Sequence, residues 1–205
     1  MKTLSRLLII LVLIAVGPIV AFAATIEEAK AATGRKDYSL AMRLWRELAD
    51  QGNPLALFPV GLLYQNGWGV AKDEAEAVRW FLRAAQQGNE GAQEALYYAY
   101  NSGKGAPQDF AEAAKWIRPL AEKGYGLPQM YLGTLYLQGI GIEHNLIEGY
   151  KWLALAARDK LASAVIADSL KKLRIKMSEA DVAEAERLVS NWRPQPKRPQ
   201  STQSH

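Results

Sequence analysis

The sequence predicts an all-α protein, an α-solenoid of antiparallel helix pairs with a 36-residue period. Three consecutive segments, 53–88, 89–124 and 125–160, repeat the same residue types in register. Tyr100, Gly103, Glu112 and Trp116 of the middle segment, for example, each have an identical residue 36 positions before and after them. A fixed period of roughly 20 to 50 residues is typical of repeat folds in which each helix pair buries its apolar face against the next.

Composition excludes several classes of function. The chain has 205 residues, of which 49% are apolar, so it can bury a sizeable core. Its net charge of +4 does not indicate nucleic-acid binding, because four cations lie at the two ends, at Lys2, Arg6, Lys197 and Arg198, and the repeats between them are close to neutral. There is no cysteine, which excludes disulfides, thiol catalysis and cysteine-bound zinc.

Residues 1–23 read as an export signal. Lys2 and Arg6 form a basic start, residues 7–16 are apolar, and Ala21, Phe22 and Ala23 match the small-x-small cleavage pattern. We expect cleavage after Ala23 and an exported chain, periplasmic or secreted. The alternative is an uncleaved membrane anchor, because the uncharged stretch 7–24 reaches the lower length limit for a membrane span.

Each repeat predicts two helices joined by a glycine turn, preceded by an N-terminal capping helix pair over 24–52. In the middle segment the first helix opens at Asn89 and ends at Gly103, and the second opens at Asp109. The side chain of Glu112 is expected to reach back to the amide of Asp109, completing a capping box. The same box recurs as Asp73 with Glu76 and as Asn145 with Glu148. A repeated tryptophan is expected to fill the gap between successive repeats, at Trp80, Trp116 and Trp152.

Three residues depart from the repeat. Tyr97 stands where the other segments have Gly61 and Gly133, so the two helices there are expected to lie further apart or to tilt. Pro59 lies inside a first helix, where it removes one backbone hydrogen bond and is expected to bend the helix. Pro128 is expected to shorten or displace the start of the third repeat.

The end of the chain predicts a C-terminal cap and a tail. Residues 161–192 are expected to form two capping helices, the second opened by a box between Ser178 and Asp181. From Arg193 to His205 the chain is rich in proline and polar residues and has nothing to bury, so we expect a disordered tail.

Three motifs of the first repeat carry a resemblance to a known family: Gly61-Leu62-Leu63-Tyr64, then Gly67-Trp68-Gly69-Val70, then the run from Asp73 through Trp80-Phe81 to Ala84-Ala85 and Gly88. The pattern resembles the Sel-1-like repeat, a relative of the tetratricopeptide repeat. It covers residues 53 to 157 in register. It implies a right-handed α-solenoid that acts as an adaptor for other proteins, and an exported location, as in many bacterial members.

By resemblance to tetratricopeptide grooves, one stripe of each first helix is expected to line the concave side and bind a partner. We call these nine residues the groove set: Phe58, Leu62, Gln65, Glu94, Tyr98, Asn101, Met130, Thr134 and Leu137. The set contains no Lys or Arg, so its expected partner is another protein or an amphipathic peptide, not a strongly acidic tail. The alternative is that its apolar members are packing contacts.

No catalytic, cofactor or metal site is predicted. The Gly-x-Gly triplets at 67, 103 and 139 follow no strand and lack a third glycine, so they are turn glycines and not phosphate cradles. His144 and His205 are the only histidines, and the recurring glutamates are explained by helix caps. A second hypothesis is a cell-envelope enzyme or ligand receptor, for example one acting on cell-wall glycan, which would need two converging carboxylates. A third is a membrane-tethered spacer.

Overall fold

The computed structural model describes residues 25–158 and 163–196, and within these ranges every regular element is an α-helix. The predicted leader lies outside the described residues, and the helices inside those ranges are too short or too polar to cross a membrane. The helices are α1 (25–34), α2 (Tyr38–Asp50), α3 (Pro54–Asn66), α4 (Glu74–Gln86), α5 (Glu90–Ser102), α6 (Phe110–Glu122), α7 (Gly126–Gln138), α8 (Leu146–Ala156), α9 (Ser163–Lys176) and α10 (Glu179–Asn191).

The chain divides into two compact units between Asn89 and Glu90. In the first unit α3 packs on α4 and on α2. In the second unit α5 packs on α6, α6 on α7, and α7 on α8, while α9 and α10 both contact α8. From α2 to α4 in the first unit, and from α5 to α9 in the second, consecutive helices are therefore also neighbours in space, as the repeat pattern predicts.

The first helices keep the period of the sequence. α3, α5 and α7 each have 13 residues and begin at Pro54, Glu90 and Gly126, one period apart. The prediction that Pro128 shortens or displaces α7 is therefore wrong. Pro128 lies in the first turn of α7, where backbone N–H groups have no partner inside the helix, so a proline removes nothing there.

Pro59 does not interrupt α3, which continues past it to Asn66. A second internal proline, Pro119, lies in α6 and was not singled out from the sequence. The carbonyl of Pro119 accepts from the amide of Lys123 at 3.2 Å, so the last turn of α6 closes beyond the proline. Each helix loses one hydrogen bond and stays continuous.

The N-caps of the second helices are confirmed, but only one half of the predicted capping box forms. The side chains of Asp73, Asp109 and Asn145 accept from the amide three residues on, at 2.8 to 3.0 Å. The glutamates do not supply the return bond to the cap amide. Those amides donate instead to the carbonyl of the repeated tyrosine at the end of the first helix: Asp73 to Tyr64, Asp109 to Tyr100 and Asn145 to Tyr136, at 2.9 to 3.0 Å.

The repeated glutamate reaches forward to the repeated tryptophan. Glu76 accepts from the indole Nε1 of Trp80 at 2.8 Å, and Glu148 accepts from Nε1 of Trp152 at 2.9 Å. Residues four apart lie on one face of a helix, which brings the two groups together. Both tryptophans are buried, so the glutamate satisfies a donor that water cannot reach.

The middle repeat lacks this bond. Glu112 pairs with Lys115 at 3.0 Å, and among the described residues the buried Nε1 of Trp116 has no hydrogen-bond partner. The same sequence pattern therefore produces different local chemistry in one repeat.

The large side chain of Tyr97 is compensated by a smaller side chain on the helix that it faces. The room beside Gly61 is filled by Phe81 of α4, whose Cε1 would lie 2.5 Å from an added Cβ. One period later the residue corresponding to Phe81 is the smaller Ile117, which is fully buried in the same cluster as Tyr97. The ring of Tyr97 stacks on that of Tyr131, with centroids 4.9 Å apart. The wider spacing or tilt of these two helices stays a prediction.

The second glycine of the Gly-x-Gly turn is required by a close approach of two backbones. Gly69 has φ +70°, and an added Cβ would overlap the carbonyl of Tyr38 in the first turn of α2. Gly141 stands in the same relation to Phe110 at the start of α6. The turn-glycine interpretation is confirmed, and packing adds a second reason for it.

The last described helix is α10. Ser178 caps α10 by accepting from the amide of Asp181 at 3.1 Å, as predicted. Beyond the helix, the amide of Gln195 donates to the carbonyl of Glu122 at 2.8 Å and its side chain to Oε2 of Glu122 at 3.0 Å. Gln195 therefore satisfies a carbonyl in the last turn of α6, and the disordered tail from Arg193 to His205 stays a prediction. Residues 197–205 lie outside the described residues.

Candidate functional site

In the first unit the groove set lies on α3. Phe58 and Leu62 are half-buried and Gln65 is exposed. The ring of Phe58 lies 5.6 Å from that of Phe81 on α4, so part of its surface is committed to packing. Leu55, one turn before Phe58, is 56% exposed and extends this apolar face.

In the second unit Tyr98 is the most exposed aromatic of the set, at 44%. Its hydroxyl lies 2.9 Å from that of Tyr131 on α7, and the rings of Tyr97, Tyr98 and Tyr131 are in mutual contact. We call these three residues the tyrosine trio. Burial raises the pKa of Tyr97 to about 12. Burial, and then the hydrogen bond to Tyr131, raise the pKa of Tyr98 as well.

The members of the set on α7 have mixed roles. Met130 and Leu137 are half-buried and pack against the cluster of Leu153, Ala156 and Ile166, as the alternative interpretation expected. Thr134 is exposed, and its hydroxyl donates to the carbonyl of Met130 at 2.9 Å. Asn101 on α5 is half-buried. The binding role of the whole groove set stays a prediction.

A cleft in the second unit lies beside Glu94. Its volume is about 350 Å³, and it opens between the first turns of α5 and α7 and the end of α6. Its lining residues are Glu90, Gly91, Glu94, Leu120, Tyr125, Gly126, Leu127 and Pro128. Leu127 is 51% exposed and occupies the repeat position of Leu55.

Two glutamates of the cleft differ in their partners. Glu90 accepts from the hydroxyl of Tyr125 at 2.6 Å and pairs with the ammonium of Lys123 at 3.0 Å. Glu94 is half-buried, and no side chain of the described residues donates a hydrogen bond to it or forms an ion pair with it. It contributes electrostatically to the raised pKa of Tyr98. The cleft therefore contains one neutralised and one unpaired carboxylate.

Sequence reasoning found Glu94 and Tyr98 but missed Leu127 and Tyr131. Leu127 could have been noticed because it recurs at Leu55, two periods earlier, while the middle repeat has Gly91 there. Tyr131 aligns with Ala95, so an aromatic that appears in one repeat alone was the available signal. Within the described ranges, no three His, Asp or Glu side chains are placed to hold a metal ion.

The sequence matches the Sel1 repeat over residues 32–53, 54–89, 92–125 and 129–160, together more than half of the chain. The first match falls in the segment predicted as the N-terminal capping pair. No curated protein sequence matches the chain.

Two solved bacterial structures share the fold. The Sel1 repeat protein from Oxalobacter formigenes is 35% identical, with a TM-score of 0.61 over 69% of this chain and 57% of that one. The protein c5321, a protective antigen of uropathogenic Escherichia coli with an SLR fold, is 26% identical, with a TM-score of 0.53 over 75% of this chain and 40% of that one. This chain thus spans about half the length of the two relatives.

These matches confirm the predicted fold class of all-α helical repeats, while its handedness stays a prediction. Sel1 repeats generally mediate protein–protein interactions, and the proteins that contain them are typically non-catalytic scaffolds. The chain belongs to the Sel1 repeat family.

Proposed function

We propose that this protein is an exported, non-catalytic adaptor that binds another protein or peptide through the exposed faces of its first helices, α3 in the first unit and α5 and α7 in the second. One observation carries the proposal: apolar side chains stand out on the first helices, Leu55 on α3, Tyr98 on α5 and Leu127 on α7. Export is supported by the leader pattern over residues 1–23.

The composition of α3 and α7 supports the proposal that a partner binds to them. Both helices carry apolar residues on all sides, a pattern typical of helices that are covered all round. Each nevertheless leaves a leucine more than half exposed. Covering the exposed half of one leucine is worth on the order of 1 kcal/mol, so a partner that covers several such side chains gains appreciable affinity.

One observation favours the hypothesis of an enzyme: two carboxylates line the cleft. Glu90 and Glu94 come from one helix, four residues apart, so they lie on the same side of the cleft. Glycosidases instead place two carboxylates on opposite sides of the scissile bond. Glu90 is also held by Lys123 and Tyr125. This arrangement favours binding over acid–base chemistry.

Crosslinking in intact cells, with the captured protein identified by mass spectrometry, tests the proposal. The double variant Tyr98→Ala with Leu127→Ala removes two exposed side chains and is expected to abolish capture while the helical content, measured by circular dichroism, stays unchanged. The matched control is Ile175→Ala, which removes an exposed apolar side chain from α9. Reading the mature N-terminus from the same sample tests export, which predicts a chain beginning at Ala24.

Two outcomes would contradict the proposal. Unchanged capture by the double variant would remove the exposed faces of α5 and α7 as the binding surface. Turnover of purified cell-wall glycan by the wild-type chain, abolished by Glu94→Gln, would establish the enzyme instead.

A further inference from the structure

We propose that the cleft beside Glu94 binds a cationic side chain of the partner, an arginine or a lysine that is followed or preceded by an apolar residue. This inference rests on the proposed function and names the chemistry that its binding surface recognises.

The cleft has a polar wall and an apolar wall. Glu90 and Glu94 face it from α5, while Leu120 of α6 and Leu127 and Pro128 of α7 supply apolar surface. Its volume of about 350 Å³ lies near the lower end of the range of roughly 300 to 1,000 Å³ for ligand pockets. Such a volume suits one long side chain better than a large cofactor.

The charge of the cleft selects a cation. Two carboxylates line it, and Lys123 is paired with Glu90. The carboxylate of Glu94 is then left without a partner among the described side chains, although it is half-buried. An anionic group would meet this negative charge and be repelled, whereas a cation would pair with it in a partly desolvated place, where ion pairs are stronger than in open water.

The walls suit the stem of the same side chain. Arginine and lysine cover apolar surface with their methylene groups while the charged head stays at a polar group. The stem can lie along Leu120 and Leu127, and the head can reach Glu94. Because a guanidinium can pair with a carboxylate through two bonds, arginine is expected to bind more tightly than lysine.

The exposed side chain of Leu127 is the reason for expecting an apolar residue next to the partner's cation. Its side chain is more than half exposed at the edge of the cleft. A partner that places only a cation in the cleft would leave this leucine in water. A partner with an apolar residue next to the cation covers it, which adds a favourable hydrophobic contact.

The experiment uses a display library of short random peptides, selected on the immobilised full chain. Peptides enriched on the wild type are synthesised in two forms, one with the enriched arginine and one with citrulline, which has nearly the same shape but no charge. Affinities of both forms are measured by fluorescence anisotropy for the wild type, for Glu94→Gln and for Glu143→Gln. Glu143 is exposed on the loop between α7 and α8, so its variant makes the same charge change outside the cleft.

The expected result is a double-mutant cycle in which the effect of replacing arginine by citrulline depends on whether Glu94 is present. Citrulline weakens binding to the wild type and to Glu143→Gln by about tenfold, as expected for loss of a hydrogen bond between charged groups. On Glu94→Gln the arginine and citrulline forms bind with about equal affinity.

Four results would overturn the inference. Equal losses on all three proteins would show that the arginine does not pair with Glu94. Enriched peptides without a cation, whose binding is nevertheless lost in the double variant Tyr98→Ala with Leu127→Ala, would overturn this inference and leave the proposed function standing. A gain in peptide affinity when the chain is ended at Pro196 would assign the cleft to Lys197 or Arg198 of the chain itself. If no peptide is enriched and no protein is captured in cells, the inference and the proposed function fall together.

Discussion

Replacing Glu148 by alanine tests the bond between the repeated glutamate and the repeated tryptophan. Glu148 accepts from the indole of Trp152 at 2.9 Å and pairs with the ammonium of Lys151 at 2.7 Å. Trp152 is buried, and only 13% of the Lys151 side chain is exposed. The change therefore leaves a buried donor, and a cation that is mostly buried, without their acceptor.

The middle repeat supplies a matched control, Glu112→Ala. Glu112 pairs with Lys115, whose side chain is 63% exposed, and it does not bind Trp116. A buried donor left without a partner costs about 1 to 3 kcal/mol, whereas an exposed ion pair is worth about 0.2 to 1 kcal/mol. Both changes remove the same charge from the first turn of a second helix, so the contribution of the helix dipole cancels. Glu148→Ala should therefore cost on the order of 1 to 2 kcal/mol more than Glu112→Ala.

The free energy of unfolding is measured by urea titration and by thermal melting, both followed by circular dichroism. For a chain of this size, 1 kcal/mol corresponds to about 2 to 4 °C in Tm. Because repeat proteins can unfold in parts, hydrogen exchange of the amides in α8 and α6 locates the loss. The contribution of the indole donor to this bond is tested by two further variants. Trp116→Phe removes a buried N–H group that has no partner, and Trp152→Phe removes an N–H group that is hydrogen-bonded. Equal losses for the two glutamate variants, or a greater loss for Glu112→Ala, would refute the reasoning.

Two further predictions concern close packing and buried hydroxyls. Gly69→Ala should destabilise the first unit much more than Gly52→Ala, because the Cβ added at Gly69 overlaps the carbonyl of Tyr38. Gly52 is a matched control, since it also has a positive φ but nothing lies within 4 Å of an added Cβ. Equal urea midpoints for the two variants would contradict this prediction. The raised pKa of Tyr97, about 12, means that the folded state holds its proton more tightly than the unfolded state. Stability from this group is therefore complete below about pH 10 and is lost as the pH rises through 12; urea titrations over this range should show a smaller loss for Tyr97→Phe than for the wild type.

Much of the fold could be predicted because its determinants are close together in the sequence. The helix starts follow the period, and the caps at Asp73, Asp109 and Asn145 form as expected, because each cap involves residues within three positions. The error at Pro128 has a physical cause. Whether Pro128 interrupts a helix depends on which backbone groups have partners inside the helix, and the pattern of residue types does not contain this.

The candidate site could be predicted only in part. The stripe of α5 placed Glu94 and Tyr98 on one face, since residues four apart share a face of a helix. The cleft needs α6 and α7 as well, and Leu127 becomes part of it because α7 begins beside the end of α6. Tyr131 joins Tyr97 and Tyr98 across two helices that are not consecutive in the chain. Contacts of this kind are set by packing, which no local pattern encodes.

By itself the sequence determined the all-α repeat, its period, its caps and its turn glycines, because all of these follow from interactions within a few residues of each other. The tertiary structure decided which partners identical residues bind. Glu76 and Glu148 bind their tryptophans while Glu112 does not, and Glu90 is neutralised by Lys123 while Glu94 is left unpaired. The physical reason is that the partner of a charged or polar group is whichever group packing brings within hydrogen-bond distance, and packing depends on the whole fold.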